Sequence, residues 1–198
     1  MKKQKNKKKN LRVKIIAGTW KGRIIDFFED KDVRPTKNII KETLFNWLKN
    51  DIDQSVCLDL YAGSGSLGFE AASRGARKVY MVDKNADVIN TIKNCIKSLK
   101  ATNIYTYKVD AFEFLEKIEE KFNIVFLDPP FSYKSIDNII KEVDDSNVMQ
   151  DKCKIYIELP FSKNEEYDIT VPTNWNLIKN SKSGDVSYLL YELNKPMI

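Results

Sequence analysis

The chain has 198 residues, of which 42% are hydrophobic and 31% charged; it has no histidine and three cysteines, at positions 57, 95 and 153. That balance describes one folded domain and excludes a Ser-His or Cys-His nucleophile and a His-ligated metal. The formal charge of +5 is uneven: residues 1–25 carry ten Lys and Arg and no acid, leaving 23 basic against 28 acidic residues in the remainder. A basic arm on a mildly acidic body suggests a polyanionic partner. The cysteines lie too far apart for zinc spacing or a disulfide framework, so buried thiols in a reducing compartment are expected. No apolar run approaches the roughly 18 residues of a membrane span, and no apolar segment follows the N-terminal lysines as it would in a secretory leader. A cytoplasmic chain without membrane association is expected.

In chain order, Met1–Asn10 is a lysine-rich, low-complexity tail expected to be disordered. Leu11–Ala17 alternates as a strand does, Gly18–Gly22 supplies turn residues and Arg23–Phe28 runs back, which predicts a hairpin. Thr36 is a candidate N-cap for a helix over Lys37–Lys49, where Ile39, Ile40, Thr43, Leu44, Trp47 and Leu48 recur at helical spacing. Residues 11–50 thus form an extension before a main domain over 51–198. That domain alternates strands (Val56–Leu60, Lys78–Val82, Ile104–Val109, Ile124–Leu127, Lys154–Glu158) with helices (Leu67–Arg74, Ala86–Leu99, Phe112–Ile118, Ile136–Val143). It closes with strands over Trp175–Lys179 and Val186–Leu193, separated by too few residues for a crossover. The pattern predicts a doubly wound, mostly parallel α/β sheet finished by an antiparallel pair.

Between the first strand of that domain and its helix lies Asp59-Leu60-Tyr61-Ala62-Gly63-Ser64-Gly65-Ser66-Leu67-Gly68, a G-x-G-x-x-G loop. Dinucleotide enzymes share this spacing. Asp59 argues against them, because a carboxylate beside the loop repels a pyrophosphate and attracts a cation. S-adenosylmethionine carries an ammonium and a sulfonium and no phosphate. Three successive strands then end in Asp83, Asp110 and Asp128. Asp83 can accept from ribose hydroxyls, and Asp110 with the N–H of Ala111 can hold an adenine edge. Each acid also reads as a plain helix cap.

Asn123–Phe131, N-I-V-F-L-D-P-P-F, is a buried strand followed by an acid, two prolines and a ring. At the carboxyl end of a parallel strand this suits a planar amine. Asp128 and a carbonyl of Pro129 or Pro130 accept its N–H bonds, while Phe131 stacks on the base.

D-L-Y-A-G-S-G, the R-P-T before a helix with E-T-L-F-N-W-L, and V-F-L-D-P-P-F together resemble the bacterial 16S rRNA (guanine-N2) methyltransferase D family, which methylates guanine 966. The N-terminal I-I-A-G-x-x-K-G-R hairpin and the late V-P-T-N-W and G-D-V-S-Y-L-L-Y segments extend the resemblance from about Arg12 to Tyr191. It implies a Rossmann-like methyltransferase: a seven-stranded, mostly parallel sheet with helices on both faces, an antiparallel strand at the C-terminal end and a small N-terminal hairpin. It further implies S-adenosylmethionine held by Asp59, Ala62, Gly63, Ser64, Gly65, Asp83, Asp110 and Ala111, without a metal. The target guanine would lie on Asp128, Pro129, Pro130 and Phe131. Arg12, Lys21, Arg23, Arg34 and Thr36 would contact RNA, the partner being 16S rRNA or an assembling small subunit and the chain a monomer. Alternatives are an adenine-N6 DNA methyltransferase, a glutamine-N5 protein methyltransferase, a non-catalytic RNA-binding assembly factor on the same fold, and, less well, an NAD-dependent oxidoreductase.

Overall fold

The computed structural model describes residues 10–28, 38–130, 136–161 and 169–195. The lysine tail, Arg34, Pro35, Thr36 and Phe131 lie outside the described residues. A two-stranded antiparallel ribbon comes first, β1 (Asn10–Lys14) and β2 (Ile24–Phe28), with Val13 opposite Ile25. Helix α1 (Asn38–Trp47) follows. Then come β3 (Val56–Asp59), α2 (Ser66–Ser73), β4 (Lys78–Asp83), α3 (Ala86–Leu99), β5 (Ile104–Lys108), α4 (Ala111–Lys117), β6 (Phe122–Leu127), α5 (Ile136–Asp145), β7 (Met149–Pro160), β8 (Trp175–Ser183) and β9 (Val186–Leu193).

The main sheet has seven strands in the order β5-β4-β3-β6-β7-β9-β8. Strands β5, β4, β3, β6 and β7 run parallel, and β9 is antiparallel to both β7 and β8. From β3 the chain winds outward through β4 and β5, then returns to β6 on the other side of β3. The order therefore reverses between β3 and β6, and a crevice opens there outside the strands' carboxyl ends.

Alternation along the strands separates two apolar layers. Cys57, Val79, Met81, Ile124, Phe126 and Tyr156 face one layer, which takes in residues of the ribbon, α1, α2 and α3. Val56, Leu58, Tyr80, Val82, Val125, Leu127, Ile155 and Ile157 face the other, under α4 and α5. The Phe45 ring of α1 meets Phe126 at 6.1 Å, and Trp47 stacks on Tyr188 at 5.4 Å. Trp47 is half-buried and packs against the core. The ribbon and α1 share the sheet's own core.

A polar seam fixes the ribbon to α2. Glu70, fully buried, accepts from the Ile16 N–H at 2.8 Å and the Ala17 N–H at 3.0 Å. Arg74 Nε donates to the same carboxylate at 2.7 Å, and its guanidinium lies 4.9 Å over the Phe45 ring. Ser73 donates to the Ala17 carbonyl and accepts from the Trp20 N–H. At Gly18 a Cβ would come within 1.8 Å of the Ser73 carbonyl oxygen. Only glycine permits that approach.

Three expectations need correction. Strand β7 begins at Met149 rather than Lys154, because an irregularity absorbs the polar segment Gln150–Lys152, with Lys152 at φ 57. The closing hairpin turns on Gly184 and Asp185 alone, since polar Asn180–Ser183 continue the exposed edge strand β8. Cys57 and Cys153 are buried, but Cys95 is only half-buried, where α3 meets β2.

Candidate active site

The register places four carboxylates on one face of the sheet. Asp59 pairs with Met81 on one side and Phe126 on the other, and Phe126 pairs with Tyr156. Two residues further along their strands stand Asp83, Asp128 and Glu158. A step of two restores the same face, so the acids line the carboxyl ends of β4, β3, β6 and β7. Asp59 and Asp128 flank the reversal between β3 and β6.

Asp59 is 2% exposed, and its Oδ2 accepts the Gly68 N–H at 3.0 Å. Burial pushes its carboxyl up to about 7; the Gly68 bond opposes this, and the charges of Asp83 and Glu158 add to it. Gly63 and Gly65 hold φ of 50 and 75, the left-handed values the loop requires. At Gly68 a Cβ would strike Met81 Cε at 2.3 Å and lie 3.1 Å from Asp59 Oδ2. This glycine lets α2 sit directly on β4 and brings its N–H to the acid. Ala62 donates to the Val82 carbonyl at 2.9 Å, and Ser64 is buried.

Asp83 braces the loop from the next strand. Its Oδ2 accepts the Gly63 N–H at 3.1 Å and its Oδ1 the Asn85 N–H at 2.8 Å. Asp110 is the N-cap of α4, accepting from the Phe112 N–H at 3.0 Å, with Ala111 buried behind it. Both acids thus have structural duties in the site. Asp128 and Pro130 are half-buried and Pro129 is buried.

These residues suit a cationic, phosphate-free ligand. Carboxylates bound the crevice, and the glycine loop leaves backbone beside it. The Ser66 hydroxyl, in the first turn of α2, is buried without a hydrogen-bond partner among the described residues. Among those residues no group of His, Cys, Asp or Glu could hold a metal ion, and no helix is long and apolar enough to cross a membrane.

The description "Conserved hypothetical protein 95" matches residues 13–192. "Ribosomal RNA small subunit methyltransferase D" of Haemophilus influenzae is 39% identical over 91% of this chain and 93% of its own length. The solved structure of yhhF from Escherichia coli superposes with a TM-score of 0.81 at 34% identity, covering 92% of this chain and 98% of that one. The chain belongs to this methyltransferase D family. A Thermus thermophilus 16S rRNA N2 G1207 methyltransferase, solved with AdoMet and guanosine, shares the fold at a TM-score of 0.67 and 18% identity, over 94% of this chain and 50% of that one. The Rossmann-like methyltransferase fold expected from the sequence is the one observed.

The structure brings Asp59, Ala62, Gly63, Ser64, Gly65, Asp83, Asp110, Ala111, Asp128, Pro129 and Pro130 to one end of this family member's sheet. It does not bring Lys21 and Arg23 there. Arg23 donates to the Ser98 carbonyl near the C-terminal end of α3, at 3.3 Å, and Lys21 lies on the same turn of the ribbon. Arg12 pairs with Asp26 at 3.1 Å on the exposed ribbon. Sequence reasoning missed Ser66, Glu70 and Glu158. Ser66 lay inside the quoted loop. Glu158 closes the apolar run of β7 as Asp83 and Asp128 follow those of β4 and β6, and that was its readable signal.

Proposed function

We propose that the chain transfers a methyl group from S-adenosylmethionine to the exocyclic N2 of a guanine in small-subunit ribosomal RNA. The observation that carries this reading is the placement of Asp128-Pro129-Pro130 at the end of β6, beside the glycine loop and across the topological reversal from Asp59. The named function of the Haemophilus influenzae relative points the same way.

S-adenosylmethionine would bring a methyl group already activated by its sulfonium. Asp83 would accept from the ribose hydroxyls, and Asp110 with Ala111 would border the adenine. Gly63, Ser64, Gly65 and Ala62 would pass the methionine end, with Asp59 setting a negative field around the cation. The exocyclic amine of guanine is a weak nucleophile because its lone pair is delocalised into the ring. Catalysis is then chiefly orientation. Asp128 and the Pro129 carbonyl would accept hydrogen bonds from the two amine N–H groups, turn the nitrogen toward the methyl group and offset the positive charge that grows on it; as the N–CH3 bond forms and the S–CH3 bond breaks, S-adenosylhomocysteine would leave and the surplus amine proton would pass through Asp128 to solvent. Phe131 would stack on the base, and Arg34 and Thr36 would contact the RNA.

The experiment is to offer methyl-labelled S-adenosylmethionine with small-subunit rRNA, partly assembled subunits, DNA and protein, then digest each product and identify the labelled residue. N2-methylguanine from ribosomal RNA is expected. N6-methyladenine or N5-methylglutamine would replace this reading with one of its rivals.

A further inference from the structure

We infer that Glu158 is the specificity-determining residue for guanine, accepting the N1–H of the target base while Asp128 takes its N2 amine. The inference rests on the guanine reading above. Leu127 pairs with Ile157 in the parallel β6–β7 ladder, so the next residues stand level, Asp128 just past the end of β6 and Glu158 two residues before the end of β7. Parallel neighbours lie about 4.8 Å apart. Side chains on adjacent strands can converge on one base edge that presents neighbouring donors. Guanine offers such an edge, N1–H beside the 2-amine. Adenine offers a lone pair at N1, which a carboxylate repels.

Glu158 is held for this task. It is 5% exposed, and its Oε1 accepts the Tyr156 hydroxyl at 2.7 Å. Tyr156 is wholly buried, and burial raises its pKa well above the usual phenol range, with the charges of Glu158 and Asp128 adding to the effect. The phenol therefore stays a donor to Glu158 Oε1. From β9, Tyr188 pairs opposite Glu158 and closes that side.

The test compares guanine with 2,6-diaminopurine at the target position of otherwise identical small-subunit RNA. The analogue keeps the 2-amine but has a lone pair at N1. The wild-type chain is expected to prefer guanine in kcat/KM by on the order of 100-fold or more, since a site built around a donor rejects the analogue lacking it. In Glu158→Gln the amide can still accept from Tyr156 while donating to N1 of the analogue. The preference should then shrink to within about tenfold, with S-adenosylmethionine affinity unchanged. Equal wild-type rates on the two bases would overturn the inference without any variant. A Glu158→Gln chain that keeps the full preference would also overturn it, as would one whose only defect is cofactor affinity. A wild-type chain that methylates RNA at another base would overturn the proposed function and this inference with it.

Discussion

The Gly68 N–H, in the first turn of α2, donates to Asp59 Oδ2 at 3.0 Å, so the acid that ends β3 also tethers the helix behind the glycine loop. The same acid is buried and titrates near 7 rather than at the ordinary 3.8. Its proton is held more tightly in the folded chain than in the unfolded one. The associated stability is fully present below about pH 4 and is lost as pH rises through about 7. Asp59→Asn should flatten that part of the stability profile, with a gain at pH 8 on the order of 1–4 kcal/mol over wild type. Binding a cation favours the ionised acid. Cofactor affinity of the wild type should therefore fall by roughly 3- to 10-fold from pH 8 to pH 6, and that of Asp59→Asn should not. Calorimetric titrations at pH 6, 7 and 8 decide this; parallel slopes would take the Asp59 charge out of the cofactor site.

Glu70 carries the second prediction. Its carboxylate receives the Ile16 and Ala17 amides and the Arg74 guanidinium. Glu70→Ala strands all three, a defect of about 3–5 kcal/mol for a buried, paired charge. The ribbon should loosen first. Hydrogen exchange at Ile16 and Ala17 should accelerate well before exchange at Cys57 or Val125. Undiminished protection at both ribbon amides would mean that the apolar contacts of Ile15 and Ile25 hold it without the seam.

The tail is tested by salt. Residues 1–9 hold six lysines and no acid. If they neutralise phosphates on single-stranded RNA, deleting them should flatten the plot of log affinity against log salt by up to ~0.7 per lost contact. The ribbon's own charges are partly engaged, Arg12 with Asp26 and Arg23 with the Ser98 carbonyl, so the tail should account for more of the slope than Arg12→Gln or Arg23→Gln. An unchanged slope after the deletion would assign the lysines to solvation alone.

Which parts of this molecule could be read from sequence follows from the range of the interactions. Helix α3 was legible to the residue, because its apolar stripe is local. The glycine loop and the strand-end acids were legible for the same reason. The start of β7 was not: an irregularity hides Gln150–Lys152, and only pairing with β6 draws Met149 into the sheet. Glu70 was not legible either. On α2 it reads as an ordinary helical acid, and its partners lie 53 and 54 residues earlier in the chain. The level placement of Asp128 and Glu158 is a property of the β6–β7 register and exists only once the strands pair.

Asp128 tests the central assignment. It follows a strand whose last four residues are fully buried and precedes two prolines, so its backbone is set by the sheet on one side and by fixed φ angles on the other. Were it only a turn residue, Asp128→Ala would lower the melting temperature and leave activity per folded molecule intact. As an acceptor for the guanine amine it acts in the transition state, where loss of one such partner costs on the order of 100- to 1,000-fold in rate. The variant should stay folded and bind S-adenosylmethionine nearly as tightly as wild type, since the cofactor loop is braced by Asp59 and Asp83 instead. Phe131→Ala should differ in kind. Losing a stacking partner, worth ~1–3 kcal/mol, weakens capture of the base and raises KM before it lowers kcat. Single-turnover kinetics with ribosomal RNA, alongside cofactor titration and thermal melts, separates these cases. A folded Asp128→Ala chain that methylates RNA at near wild-type rate would remove Asp128-Pro129-Pro130-Phe131 from the chemistry.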